Sequence, residues 1–229
     1  MANLRSFALC CAIAAAPYSV AETPFCAPDA MLVFDGSGSM AEMGFNYIDE
    51  PRIFEARRAV GEILPQVEAF RRIGLIVYGP GDGEECAGID LRLPPTANAA
   101  ARIIADIDNV KPAGQTALTR AVAMAADALD YESRPATIVL VTDGKETCGG
   151  APCELAAELA ATGFELTVHV IGFKVRGDRF SYDRDSDYRN SVTVAQCLAD
   201  RTGGHYHSTE TAEELIDALR RSLGCALYL

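Results

Sequence analysis

Short apolar runs alternate with amphipathic segments along most of this chain, and this alternation restricts the fold more than any other feature. The runs that predict strands are Ala30–Phe34, Ile73–Tyr78, Ile89–Leu93, Thr137–Val141, Leu166–Phe173 and His205–Ser208. The segments with helical spacing are Arg52–Phe70, Ala97–Val110, Ala117–Leu129, Glu154–Ala161, Val192–Arg201 and Thr211–Leu223. Strands that alternate with helices predict an α/β fold with a largely parallel sheet. We find no repeat and no low-complexity linker, so we expect one folded domain.

Residues 1–21 have the pattern of a secretory signal peptide. Arg5 supplies the positive charge, residues 7–16 are apolar, and Ser19-Val20-Ala21 offers the small residues that signal peptidase reads. We therefore expect a mature domain of residues 22–229 that is secreted or periplasmic. A buried N-terminal helix is the alternative. Elsewhere the sequence has no apolar stretch long enough for a membrane span.

Cleavage would remove two of the eight cysteines and leave an even number, which points to disulfides in an exported protein. The sequence leaves all the pairings of these cysteines open. Our first expectation is a local Cys148–Cys153 bridge, a Cys26–Cys225 bridge between the ends of the domain, and a Cys86–Cys197 bridge from the remaining pair. Zinc binding is less favoured because no Cys-x-x-Cys pair is present.

The formal net charge of the chain is -12, and its sequence pI is about 4.7. Nucleic acids are bound by Lys and Arg side chains that displace counterions, so an acidic surface argues against such a partner. Acidic charge is compatible with cation binding, although it often serves solubility alone. We expect a monomer.

Small oxygen-bearing side chains follow predicted strands in separate parts of the chain. The segment Asp35-Gly-Ser37-Gly-Ser39 comes directly after Ala30–Phe34, and Asp143 comes directly after Thr137–Val141. Thr116 precedes a predicted helix. The carboxyl ends of parallel strands share one edge of the sheet, where ligands usually bind. We therefore expect these residues to meet at that edge.

Hydroxyl and carboxylate oxygens together predict a site for a hard cation. Mg²⁺ takes about six oxygen ligands in octahedral array. Ser37, Ser39 and Thr116 offer neutral hydroxyls, while Asp35 and Asp143 supply charge, directly or through water. A cation held largely by neutral oxygens stays electrophilic and accepts a carboxylate from another molecule. We see no nucleophile–base pair, so the pattern favours a binding protein over an enzyme.

This set of residues resembles the metal-ion-dependent adhesion site (MIDAS) of the von Willebrand factor A family. The shared pattern is Asp-x-Ser-x-Ser, a distant Thr, and an Asp in a Thr-Asp-Gly turn. The resemblance covers residues 28–223, and it is strongest to exported bacterial members. It implies metal-site roles for Asp35, Ser37, Ser39, Thr116 and Asp143. It also implies a doubly wound, Rossmann-like sheet with helices on both faces and one antiparallel edge strand, to which Ile89–Leu93 corresponds. The implied cofactor is Mg²⁺, with Mn²⁺ or Ca²⁺ as alternatives, and the implied partner is a protein that presents Asp or Glu.

Other functions fit the sequence less well. A Mg²⁺-dependent hydrolase or phosphatase would use Asp35 as nucleophile, but such enzymes place a second acid where this chain has Ser37. A phosphate-binding loop would need the Lys-Ser/Thr ending of a P-loop, which is absent. A structural subunit of an envelope complex, with no capture of a ligand, also remains open.

Two further patterns carry weak metal signals. His205 and His207 alternate on a predicted strand, where a half-exposed edge strand is the favoured interpretation. Asp183, Asp185 and Asp187 alternate like calcium ligands, but the Gly and final Glu of an EF-hand loop are missing.

Two polar segments near the predicted strands are assigned to the surface. Glu146 follows Asp143 closely enough to reach a metal rim, but a surface role is favoured. The segment Lys174–Asn190 is too polar for a core and is predicted to be a surface loop.

Overall fold

The computed structural model describes residues 26–44, 49–80, 86–175 and 195–225. The predicted signal peptide, the Asp183–Asp187 pattern and most of the predicted Lys174–Asn190 loop lie outside these residues. Within the described part of the chain, no helix is long and apolar enough to cross a membrane.

One sheet of six strands forms the centre of the protein, in the spatial order β3-β2-β1-β4-β5-β6. The strands are β1 (Asp29–Asp35), β2 (Arg72–Tyr78), β3 (Ile89–Thr96), β4 (Pro135–Thr142), β5 (Glu165–Phe173) and β6 (Tyr206–Thr209). Every pairing is parallel except that of β3 with β2, which is antiparallel. The predicted mostly parallel sheet with one antiparallel edge strand is confirmed.

Helices lie on both faces of the sheet, as predicted. They are α1 (Arg52–Val67), α2 (Ala100–Asp108), α3 (Leu118–Ala128), α4 (Pro152–Thr162), α5 (described over 195–202) and α6 (Ala212–Leu223). Side-chain hydrogen bonds cap the start of α6, where Thr211 is the N-cap residue. The Thr211 hydroxyl accepts a hydrogen bond from the Glu214 amide, and the Glu214 carboxylate accepts one from the Glu210 amide.

The central strand β1 is buried over its whole length because it contacts helices on both sides. Ala30, Leu32 and Phe34 pack with α1, α2 and α6. Met31 and Val33 pack with α3, α4 and α5. Burying each of the larger side chains stabilises the fold by about 2 kcal/mol.

The structure confirms one predicted disulfide and shows that the other two were wrong. Cys26 pairs with Cys225, as expected for the two ends of the domain. The proposed Cys148–Cys153 and Cys86–Cys197 bridges are replaced by Cys86–Cys148 and Cys153–Cys197, with Cα–Cα distances of 5.6 Å and 5.4 Å. Closeness in sequence was misleading because Cys153 lies in the first turn of α4 and faces α5. Cys148 instead faces the connection between β2 and β3.

Lys174 is a further correction, because it is buried rather than part of a surface loop. The residue is 6% exposed. Its ammonium group donates hydrogen bonds to the Gly44 carbonyl (2.6 Å) and to Oε1 of Glu55 (2.9 Å). A lysine can be buried in this way only when it is paired, and Glu55 supplies the pairing charge from α1.

Candidate metal centre

The predicted site residues lie together at the carboxyl edge of the parallel strands. β1 ends at Asp35 and its neighbour β4 ends at Thr142, so the loops that follow them emerge side by side. Asp143 is the first residue after β4. Ser39 lies in a short 3-10 helix, Gly38–Ala41, that follows β1. The topology explains why residues so far apart in sequence meet here.

Ser39 connects the two loops. Its hydroxyl donates a 2.6 Å hydrogen bond to Oδ1 of Asp143. The Ser37 and Ser39 hydroxyl oxygens lie 3.1 Å apart. Ser37 and Asp143 are buried, so these oxygens line a site that is largely screened from solvent.

Thr116 reaches the same place from the segment before α3. A methyl group placed on Gly144 would lie 3.8 Å from the Thr116 hydroxyl and 3.9 Å from the Ser39 hydroxyl. Both hydroxyls therefore border the small space beside Gly144. All five predicted residues are thus brought together.

The Asp35 carboxylate is fixed by a donor on each oxygen. The Ser37 amide donates to Oδ1 (2.8 Å), and the Thr142 hydroxyl donates to Oδ2 (2.7 Å). Asp35 and Thr142 are both buried. The carboxylate therefore has one orientation, and Thr142 is a supporting residue that the sequence analysis did not single out.

Close backbone packing holds the Asp35–Ser39 loop in place. The Gly36 amide donates to the Tyr78 carbonyl (2.8 Å), and the Gly38 amide donates to the Gly114 carbonyl (3.1 Å). Gly79, which follows β2, has φ +108°, and a Cβ there would lie 2.3 Å from the Ser37 nitrogen. Only glycine permits this conformation and this approach.

Arg52 is the main site residue that the sequence analysis missed. From the start of α1 its Nη1 donates to Oδ2 of Asp143 at 2.9 Å, and both side chains are buried. Nη1 also lies 3.4 Å from the Glu42 carboxylate. One signal was available: Arg52 shares a helical face with the buried residues Ala56 and Ile63, and buried arginines are commonly paired with an acidic residue.

The electrostatics of the site favour a cation. Burial, and secondly the charge of Asp35, raise the pKa of Asp143, while the Ser39 hydrogen bond and Arg52 act in the opposite direction. Burial, and secondly Asp35, also raise the pKa of the Tyr78 phenol well above its usual value. Burial is the larger cause of both shifts, and the negative charge of Asp35 is the second; a bound cation would offset that charge.

The donor set suits a hard divalent cation. Three hydroxyls and two carboxylates surround the site, which matches the oxygen preference of Mg²⁺, Mn²⁺ and Ca²⁺. Among the residues that the structure describes, no group of three or more His, Cys, Asp or Glu side chains is arranged to hold a metal ion. Any cation at this edge would therefore depend on the hydroxyls of Ser37, Ser39 and Thr116.

His169 lies on β5, His207 lies on the edge strand β6, and His205 immediately precedes β6. The His169 and His205 rings have centroids 5.7 Å apart, and those of His205 and His207 are 6.1 Å apart. The His205 amide donates to Nδ1 of His169. Burial, and then the neighbouring histidines, lower the pKa of His169 to about 4. The predicted half-exposed edge strand is observed.

Glu146 does not act as a free surface carboxylate. Its Oε2 accepts hydrogen bonds from the Thr119 amide (2.8 Å) and the Thr119 hydroxyl (2.5 Å), and its Oε1 accepts one from the Cys148 amide (2.8 Å). Glu146 therefore joins the first turn of α3 to the loop after β4.

Comparison with known proteins gives consistent matches. A family model described as von Willebrand factor type A domain matches residues 30–146, a range that contains all five site residues. The protein YwmD of Bacillus subtilis (strain 168) is 25% identical over 197 residues, which cover 82% of this chain and 81% of YwmD.

Two solved structures illustrate the shared fold. The pilus adhesin SpaC from Lactobacillus rhamnosus GG is 17% identical with a TM-score of 0.63, over 89% of this chain and 30% of SpaC. Proximal thread matrix protein 1 from the mussel byssus, solved with a zinc-occupied MIDAS motif, is 17% identical with a TM-score of 0.55. That match covers 85% of this chain and 44% of the matrix protein. This chain therefore spans less than half of either protein.

Proposed function

Because this chain belongs to the von Willebrand factor type A family, we propose that it is a non-enzymatic module that binds a protein partner through a divalent cation. Asp35, Ser37, Ser39, Thr116 and Asp143 would hold the cation. An Asp or Glu side chain of the partner would complete its coordination.

One observation carries this proposal: the Ser39 hydroxyl lies between the Ser37 hydroxyl and the Asp143 carboxylate, across Gly144 from Thr116. The arrangement brings three neutral hydroxyls to the same side of the Asp143–Gly144 turn. The charges of Asp35 and Asp143 are partly offset by Arg52, which contacts Asp143. A divalent cation would therefore leave the site positively charged, and a carboxylate is the ligand that such a site prefers.

We propose Mg²⁺ as the resident cation, with Mn²⁺ and Ca²⁺ as alternatives. Oxygen-only donors and small hydroxyl-bearing residues suit Mg²⁺, which usually keeps several water ligands. The zinc-occupied MIDAS of the mussel matrix protein supports a divalent cation at such a motif, without specifying which one binds here.

An extracytoplasmic location agrees with the three disulfides, since such bonds persist in oxidising compartments. The structural similarity to a pilus adhesin points in the same direction. Together with the predicted signal peptide, these observations support a secreted or periplasmic adhesion or scaffold module.

Catalysis by Asp35 is not favoured. Both of its carboxylate oxygens already accept hydrogen bonds, from the Ser37 amide and the Thr142 hydroxyl. Nucleophilic catalysis by a carboxylate also needs a nearby general acid or base, and residue 37, where such enzymes place a second acid, is a serine.

Calorimetric titration of the oxidised protein with Mg²⁺, Mn²⁺ and Ca²⁺ tests the metal site. We expect saturable binding that is lost in an Asp35→Ala/Ser37→Ala variant and kept in Asp127→Asn, which changes an exposed carboxylate on α3. The same titrations in the presence of acetate or a Glu-containing peptide test carboxylate capture. Tighter cation binding with the peptide supports the proposal, whereas cation binding without any effect of the peptide would indicate a purely structural metal. No cation binding under either condition would refute it.

A further inference from the structure

Thr116 is held by a pair of hydrogen bonds to one residue of the loop after β4. The Thr147 amide donates to the Thr116 carbonyl at 3.0 Å. The Thr116 amide donates to the Thr147 hydroxyl at 2.8 Å. The position of the Thr116 side chain therefore depends on where the backbone at residue 147 is held.

That backbone is anchored through Cys148, the next residue. Cys148 forms a disulfide with Cys86, in the connection between β2 and β3. The Cys86 carbonyl accepts a hydrogen bond from Nη1 of Arg120 at 3.1 Å. Arg120 lies in the first turn of α3, directly after the Thr116 segment.

Glu146, on the other side of Thr147, also links this loop to α3. Its carboxylate accepts hydrogen bonds from Thr119 of α3 and from the Cys148 amide. Thr147 is itself exposed. Thr147 is therefore held in position by its two neighbours, Glu146 through its hydrogen bonds and Cys148 through its disulfide.

We propose that the Cys86–Cys148 disulfide positions the Thr116 hydroxyl for the cation, acting through Thr147. The inference rests on the proposed function, since it concerns the affinity of the same site. Supporting groups behind a metal ligand typically contribute about tenfold to a hundredfold in metal affinity. Cys153–Cys197, which joins α4 to α5, supplies a matched control for the loss of a disulfide.

The test compares Mg²⁺ and Mn²⁺ affinities, by calorimetry, of wild type, Cys86→Ser/Cys148→Ser and Cys153→Ser/Cys197→Ser. We expect the first variant to bind about tenfold more weakly or worse. We expect the second variant to keep nearly the wild-type affinity. Equal affinities in the two variants would overturn the inference.

Thr147 provides a test that leaves every disulfide intact. Thr147→Val removes the hydroxyl acceptor and should weaken cation binding, whereas Thr147→Ser keeps the acceptor and should restore it. Hydrogen exchange at the Thr116 amide gives a readout that needs no metal: it should be faster in Thr147→Val and in Cys86→Ser/Cys148→Ser than in wild type. Unchanged exchange and unchanged affinity in Thr147→Val would refute the role of Thr147. If the wild type itself binds no cation, the proposed function fails first.

Discussion

The guanidinium of Arg52 lies 2.9 Å from Oδ2 of Asp143, with both side chains buried. The other oxygen of Asp143 accepts a hydrogen bond from Ser39. The Asp143 carboxylate therefore has a permanent cation on one side and a hydroxyl on the other. Arg52 reduces the repulsion between Asp143 and Asp35, and it would compete with a bound metal for the same charge.

We expect Arg52→Gln to destabilise the metal-free protein by about 3 kcal/mol or more, because it leaves a buried carboxylate without its partner. Mg²⁺ would then offset more of the unfavourable charge than it does in wild type. The increase in melting temperature caused by Mg²⁺ should accordingly be larger in the variant. Thermal unfolding with EDTA and with saturating Mg²⁺ measures both effects.

Arg72→Gln is the control for this prediction. Arg72 also pairs with an aspartate of β1, Asp29, but at the opposite end of the strand. The increase in melting temperature caused by Mg²⁺ should be the same in Arg72→Gln as in wild type. A smaller shift in Arg52→Gln than in Arg72→Gln would contradict the role assigned to Arg52.

Gly79→Ala should weaken cation binding and destabilise the fold by about 1–3 kcal/mol, because the backbone has positive φ and the new methyl group would press against Ser37. Gly203 also has positive φ, +74°, but a Cβ there meets no atom within 4 Å. Gly203→Ala therefore introduces backbone strain alone and should leave metal affinity unchanged. Urea unfolding measures the loss of stability in both variants, and calorimetry measures their metal affinities. Equal metal affinities would show that Gly79 has no part in shaping the site.

His169 should make the protein less stable in mild acid. Its pKa is lowered to about 4 in the fold, by burial and then by His205, His207 and Arg71, whereas the unfolded side chain titrates near pH 6.5. The unfolded state therefore binds more protons between these values. Stability contributed by the neutral imidazole is complete above pH 6.5 and falls as the pH decreases toward 4, by up to about 3 kcal/mol.

Urea unfolding at pH 7.5 and pH 5 checks this expectation, with His169→Gln as the variant. Carboxylates also titrate toward the acid end of this range, so the informative quantity is the difference between the two proteins. The variant should lose less stability on acidification than wild type. Identical losses would show that His169 is not the responsible group.

Lys174→Met should destabilise the protein by about 3–5 kcal/mol, because Glu55 would lose the buried ammonium group that pairs with its carboxylate. The double variant Glu55→Gln/Lys174→Met removes both charges and should recover part of that loss. A double-mutant cycle by urea unfolding measures the coupling between the two residues. Strictly additive effects would mean that the contact contributes no net coupling.

The sheet and the positions of Asp35 and Asp143 follow from local patterns. A buried strand such as β1 produces a continuous apolar run, and the residue after such a run stands at the carboxyl edge of a parallel sheet. Asp35 and Asp143 each occupy that position. Their proximity could therefore be predicted without knowledge of any side-chain contact.

Contacts that cross between elements could not be predicted in the same way. Arg52 reaches Asp143 because α1 starts beside the β4 edge; its helical face indicates that it is buried, but not which carboxylate it contacts. The disulfide pairing depends on which loops face each other, so the short spacing between Cys148 and Cys153 pointed to the wrong partner. Lys174 lies at the beginning of a polar segment, so the sequence indicated an exposed position. In the structure Lys174 is buried, and its pairing with Glu55 stabilises the buried charge.

The Cys26–Cys225 bridge joins residues that are 199 positions apart in sequence and have Cα atoms 5.5 Å apart. A pulling force that enters the domain before Cys26 and leaves it after Cys225 is carried by this covalent link. The strands and helices between the two cysteines then bear almost none of the load. Such tension would leave the site at the other end of β1 undistorted, and the protein would act as an inextensible connector.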